Sequence, residues 1–360
     1  MRRVFSLILL GLGVFAIAIA VLLPTFVYAK LAKVPLDQSS TSVLEGSNIQ
    51  VLAVTSKGAE LRKGATLAAT AKVQANFEPA EMKAGTDVAV WLLAVQVVDV
   101  KDNTIVSASK RQVCFDRRTA EGYVPKDGEE LKCQAKSSFV TKLDESVKVP
   151  EGAKPPEKNV ERAQPGLQFK FPFGTEQKTY PVYDDNTGTA VPAEFKGTEE
   201  INGVEVYKFV QNIGDTQIAT KTVPGSLIGS SEDSVKDVPL FYKGTITMWV
   251  EPVTGVQVKQ SQQQHQELRP AIGSGETTVV FDGTLTFDQK TVNGLIDQVN
   301  ANKGKLDFIT TVGPIAFGAG GGVMLLLGLF LLLTSRKAVP EPEPAERTGP
   351  QHGLTRKSLF

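Results

Sequence analysis

The chain has 360 residues, room for one large domain or two ordinary ones, with 39 basic and 39 acidic side chains and a formal net charge of zero. That balance argues against a nucleic-acid partner, because there is no basic excess to release counterions. Hydrophobic residues make up 41 % of the chain, but they are concentrated in two terminal blocks, and the 32 Gly and 20 Pro of the whole sequence favour turns and strands over long helices.

The first block, "VFSLILLGLGVFAIAIAVLLPTFVYA" (Val4 to Ala29), is uncharged and follows Arg2 and Arg3. About 20 apolar residues span a bilayer core, and the run exceeds the roughly 7–15 residues of a signal-peptide core. A membrane helix is therefore predicted over 4–29, with cleavage after Val27-Tyr28-Ala29 as the alternative. Pro24 predicts a kink or a helix end. A second uncharged block, Ile309 to Ser335, is followed by Arg336 and Lys337 and predicts a second span over 309–335. Gly318 and Gly322, with Gly11 and Gly13 in the first block, suit close helix packing.

Between the spans the chain reads as strands. "NIQVLAVTS" alternates, and "ATLAATAKVQANF" is a further candidate. "VAVWLLAVQVVDVKDNTIVSASKRQVCF" divides into two strands at Lys101-Asp102-Asn103, and the first half, apolar on both faces, is expected to be central. Asn202-Gly203 predicts a turn before "VEVYKFVQNI" and "TQIATKTVPG". "KGTITMWVEP" and "GVQVKQSQQQHQEL" form a hairpin through Glu251-Pro252-Val253-Thr254-Gly255, and "TTVVFDGTLTFD" follows. The Gln260–Gln264 ladder is expected on the wet face of that hairpin, with Ile246, Met248 and Val250 on the inner face. "FKFPFGTEQKTYPVYD" predicts an aromatic strand containing Phe169, Phe171 and Phe173. Pro150, Pro155, Pro156 and Pro165 mark an extended connector. Helices are expected at "KSSFVTKLDESVK" and at "QKTVNGLIDQVNANKGK", where Val292, Leu295, Ile296 and Val299 recur at helical spacing.

The two cysteines, Cys114 and Cys133, enclose a polar insert and predict one disulfide, since the pair lies in a domain expected to be exported. With only His265 and His352 in the chain, no zinc spacing is present. No nucleophile elbow, phosphate loop or dinucleotide fingerprint occurs either. His265 sits in a Gln-rich strand expected to face solvent. Enzymatic activity, a cofactor and a metal site are therefore not expected.

The segments "LLPTFVYAKLAKVPLD", "FPFGTEQKTYPVYD", "GVEVYKF", "EPVTG" and "LTFDQKTV" resemble an actinobacterial membrane-protein family labelled as PorA-family porins, over nearly all of the chain apart from the tail. The layout, with "NGVEVYKFV" and "VEPVTGVQVKQSQQQHQ" in the same order, also resembles the class B scavenger receptors and the lysosomal integral membrane protein. That second resemblance implies a β-barrel-like ectodomain with an apolar lipid tunnel.

The expected fold class is a β-rich α+β ectodomain, an antiparallel barrel-like sheet over 30–308, between two terminal transmembrane helices. Residues 1–3 and a disordered 336–360 tail would be cytoplasmic, in a double-pass plasma-membrane protein with its large domain extracytoplasmic. The leading function is a non-enzymatic envelope protein that binds or conveys lipid or lipoglycan through a cavity lined by Phe169, Phe171, Phe173, Ile246, Met248 and Val250. Alternatives are a scaffold for envelope assembly and a porin-like channel. The partners expected are membrane lipids or lipoglycans and envelope-building membrane proteins, not nucleic acid.

Overall fold

The computed structural model describes residues 2–55, 58–75, 87–126, 132–133, 136–143 and 157–334. The tail after 334 and the prolines 150, 155 and 156 lie outside that set. The described chain forms two compact units, one built from the two terminal helices and one spanning Pro24–Thr311.

In the first unit, α1 (Arg2–Leu22) packs on α4 (Gly313–Thr334). Both are long and apolar enough to cross a membrane. Their contact uses small residues, with Gly13 from the expected set and Gly321 and Gly328 from outside it. Gly13 touches the Gly321 carbonyl and Leu325, Gly328 meets Leu10, and Ser6 Oγ donates to the Gly328 carbonyl at 3.1 Å. Gly11 and Gly322 face open space. Spacing alone identified a glycine-rich helix, whereas the crossing point selects which glycines are needed. After α1 the backbone widens into a π turn over Leu23–Val27, where Pro24 removes an amide donor, before the short α2 (Tyr28–Leu31).

The second unit is one large antiparallel sheet. Its strands are β1 (Ser39–Thr55), β2 (Gly58–Ala75), β3 (Val88–Asp99), β4 (Thr104–Asp116), β7 (Phe139–Leu143), β8 (Glu157–Glu161), β9 (Tyr180–Asp184), β10 (Thr189–Ile201), β11 (Val204–Pro224), β12 (Ser234–Val250), β13 (Gln257–Leu268) and β14 (Thr278–Phe287). A small separate hairpin joins β5 (Lys132–Cys133) and β6 (Lys136–Ser137). The order β8-β7-β4-β3-β2-β1-β14-β13-β12-β11-β10-β9 leaves β8 and β9 as edges, so the sheet is not closed into a barrel. β1 pairs with β14, which joins an early meander (β1–β4) to a late one (β9–β14) through contacts distant in sequence.

Turn chemistry accounts for the hairpins. Asn202 (φ 48°) and Gly203 (φ 80°) both adopt positive φ between β10 and β11, the geometry for which an Asn-Gly pair is suited. α3 (Gln289–Asp307) starts at Asp288, whose carboxylate accepts the Thr291 amide at 2.8 Å. Val292, Ile296 and Val299 pack with Val204, Val206 and Val258.

Three expectations are corrected. "KSSFVTKLDESVK" is not a helix in its described part, which belongs to β6 and β7; its weak amphipathic pattern yields to pairing of β7 with β4 and β8. Phe169, Phe171 and Phe173 do not lie on a strand; only Tyr180–Asp184 of that segment does. "VEVYKFVQNI" and "TQIATKTVPG" are one continuous strand, β11, whose irregularities are absorbed as register shifts.

Candidate functional site

The sheet curls around a trough of about 1280 Å³, lined by β1–β4 on one side and by β11–β14 on the other, with residues of α3 contributing. Register explains the wall. Ser40, Val73, Leu93 and Arg111 form one row across β1–β4; Ser42, Ala71, Val95 and Ser109 form the next; Leu44, Ala69, Val97 and Ser107 form a third. Every member lines the trough. Because side chains alternate between sheet faces, three in-register rows place twelve consecutive choices on one surface. Many of these are Ala or Ser, whose small side chains leave room. The opposite face of β2 exposes Thr66, Thr70, Lys72 and Gln74.

The facing wall differs. Gln211, Ile246, Gln262 and Leu285 make a row across β11–β14, and Gln266 is flanked by Tyr242 and Phe281. Gln257, Gln260, Gln262, Gln264 and Gln266 all line the trough. The ladder expected on a wet outer face therefore faces inward. Register determines this, since Ile246 pairs with Gln262 and Met248 with Gln260, and directly paired residues share a face. The trough is amphipathic, with an Ala/Ser/Val/Leu wall opposite a glutamine stripe.

Of the expected lining residues, Phe169, Phe173, Ile246 and Met248 line the trough. Phe171 and Val250 are instead fully buried in the core with Tyr180 and Phe209. The Glu251–Gly255 turn explains the displacement of Phe171. Its carboxylate folds back to accept the amides of Val253 (3.0 Å) and Thr254 (2.8 Å) and the Thr254 hydroxyl (2.5 Å). That satisfies Glu251, which has no exposed surface. The turn then receives the aromatic segment: Phe171 N–H donates to the Gly255 carbonyl at 2.8 Å, and Thr175 N–H to the Pro252 carbonyl at 2.7 Å. Gly255 has φ 72°, and a Cβ there would meet the Phe171 carbonyl at 2.1 Å, so glycine is required on both counts.

Lys170 reaches over the Phe173 ring at 3.4 Å and donates to the Thr254 carbonyl at 2.6 Å. Burial pushes its ammonium down to about 7, partly offset by the Glu251 carboxylate. Arg111, buried on β4, is bound by Asp185 (2.6 Å), Gln164 (2.8 Å) and Gln168 (2.9 Å) and stacks on Phe169 and Tyr183, each 5.1 Å away. Burial raises the Asp184 carboxyl and the Tyr183 phenol. The sequence reading missed this polar network, because it joins β4 to a segment more than fifty positions later. Trp91, also a trough residue, packs edge-on to Phe115 at 5.0 Å.

His265 is not a bare solvent-facing side chain. Its ring nitrogens lie 3.1 Å from Asp282 and 3.1 Å from Glu267, beside Arg269. Among the described residues no cluster of His, Cys, Asp and Glu is placed to hold a metal ion. Cys114 is fully buried on β4; the Cys133 side chain lies outside the described residues, so the bridge stands as a proposal.

The family model described as Porin PorA matches residues 5–330. A protein named Porin PorA from Corynebacterium amycolatum is 23 % identical, across 91 % of this chain and 98 % of its own length. Another of that name from Corynebacterium resistens is 23 % identical across 49 % of this chain, which spans 57 % of that relative's length. Neither relative bears on the scavenger-receptor resemblance.

Proposed function

Because the chain belongs to the PorA porin family, we propose that it is a non-enzymatic conduit of the cell envelope, porin-like in that solute moves along the trough of the curled sheet. The observation that carries this reading is the inward glutamine ladder of β13. Burying a row of carboxamides against an apolar core costs free energy unless each finds partners. Facing an open passage, they stay solvated or bond to whatever passes. The water-facing exterior of β2 and the free edges β8 and β9 argue against a barrel embedded in lipid, which needs an apolar outer band. We place both termini in the cytoplasm and the sheet domain outside the plasma membrane.

The test is conductance of planar bilayers containing the full-length protein, compared with Ala71→Trp, which fills the middle of the trough. The parent should conduct, and the variant should conduct less at equal insertion. A parent without conductance overturns the channel reading. Equal conductance in the variant removes the trough as its path.

A second reading, lipid or lipoglycan carriage, is favoured by the apolar wall of Ala69, Ala71, Val73, Leu93 and Val95. Its test is extraction and mass spectrometry of lipid copurifying with the parent and with Ala71→Trp.

A further inference from the structure

Among the described residues, the Trp91 indole N–H and the Gln211 carboxamide oxygen in the trough wall have no hydrogen-bond partner. Trp91 is 5 % exposed and Gln211 1 % exposed. Both residues line the trough, Trp91 on β3 and Gln211 on β11. A buried unsatisfied donor or acceptor is uncommon because it forfeits its hydration. The rest of Gln211 is well held, since its Nε2 donates to the Val182 carbonyl at 2.8 Å. The orphan atoms therefore do not come from loose packing around an idle side chain.

The charge of the wall is also unbalanced. Lys33, Lys170, Lys221, Lys305 and Arg111 line the trough, against Asp184 and Asp185. Arg111 is paired with Asp185, and Lys33 with Asp87. Lys170, Lys221 and Lys305 form no ion pair among the described residues. The Lys170 ammonium lies over the Phe173 ring, while Phe169 lies 5.1 Å from the Trp91 ring and 5.1 Å from the Arg111 guanidinium. Trp91, with its orphan N–H, and the Arg111 guanidinium thus lie against one aromatic ring, at the end of the Ala71–Val95 track.

We infer that the trough binds a long-chain anionic amphiphile, whose carboxylate or phosphate oxygen accepts the Trp91 Nε1–H within a wall of net positive charge while its chain lies along the Ala69, Ala71 and Val95 wall. Trough-lining residues fall near both ends of β1, from Ser40 to Leu44 and from Val51 to Val54, which spans about fourteen residue steps. At about 3.3 Å per residue that is roughly 50 Å, longer than the roughly 15 Å of hydrocarbon in one bilayer leaflet. A free anion would use the cations but not the apolar track; a neutral lipid would use the track but not the cations. The inference rests on the trough being the passage, as proposed above.

The test uses full-length protein in phosphatidylcholine nanodiscs and an anthroyloxy-labelled C18 fatty acid, with the matching fatty alcohol and inorganic phosphate as comparisons. The acid should bind about ten-fold or more tightly than the alcohol, the increment of a charge-assisted hydrogen bond. Phosphate should not displace it. Trp91→Phe should weaken acid binding about ten-fold while leaving the melting temperature unchanged or higher, because it deletes a donor that the folded protein leaves unsatisfied. Lys170→Gln should bring acid and alcohol closer together. A structural role for Trp91 predicts the reverse pattern, lower stability with intact binding, and that result overturns the inference. So do equal affinities of the parent for acid and alcohol, or full displacement by phosphate, which would indicate a simple anion site. Intact bilayer conductance together with absent acid binding would refute this inference and leave the conduit reading standing.

Discussion

Replacing Ala71 and Met248 separately by tryptophan distinguishes an open trough from a packed core. Ala71 sits between Ser42 and Val95 in a row of trough-facing side chains, beside a space of about 1280 Å³. A tryptophan buries about 150–250 Å², so it fits there without displacing a neighbour. At about 25 cal/mol per Å² the gain is several kcal/mol if all of that area leaves water. Partial burial and lost rotamer freedom reduce it to within about 1 kcal/mol of the parent. Met248 borders the trough but is 1 % exposed, paired with Phe209 and packed in the core cluster with Phe171 and Tyr242. Enlarging it there forces off-rotamer packing and costs about 1–3 kcal/mol, which lowers the melting temperature by roughly 2–12 °C at about 2–4 °C per kcal/mol. Thermal unfolding followed by circular dichroism gives both numbers, and bilayer conductance on the same preparations gives the functional half. Ala71→Trp should keep its melting temperature and lose conductance. If Ala71→Trp is destabilised as much as Met248→Trp, the Ala/Ser wall is packed rather than open and the reasoning fails.

The Lys170 ammonium titrates near 7 in the folded chain and near 10.5 when unfolded, so between those values the unfolded state holds the extra proton and folded stability rises with pH; below about 7 both states are protonated and the penalty is present in full. Relative to Lys170→Met, the parent should gain on the order of 3–4 kcal/mol from pH 7 to pH 10 in urea unfolding, and parallel curves would show that Lys170 is solvated. Non-reducing peptide mapping should recover the peptides of Cys114 and Cys133 as one linked species, with alkylatable thiols in exported protein as the contrary result. Reporter fusions should place the Pro150 segment outside the plasma membrane and the C-terminus inside; a cytoplasmic signal from the Pro150 fusion reverses the topology.

Much of the architecture follows from local chemistry. Two uncharged blocks longer than a bilayer core are helices in any apolar solvent, because only intrachain hydrogen bonds satisfy the backbone there. Asn202-Gly203, Gly255 and Asp288 place turns and a helix start through their own conformational preferences, and the positions of β3, β4, β12 and β13 follow from alternation between such punctuation. Alternation does not say which face is inward. The polarity of glutamine predicts a wet outer face for Gln260 and Gln262, but pairing with Met248 and Ile246 turns them toward the trough, and a shift of one residue would reverse that. The aromatic run at Phe169–Phe173 looked like a strand by period. It is irregular because its amides bond to the Glu251–Gly255 turn, some eighty positions away. Likewise β1 meets β14, Arg111 meets Asp185, and Phe169 brings Trp91 close to Arg111. Those contacts are decided by closing the sheet's long-range order, a free energy distributed over many strands that no short stretch of sequence contains.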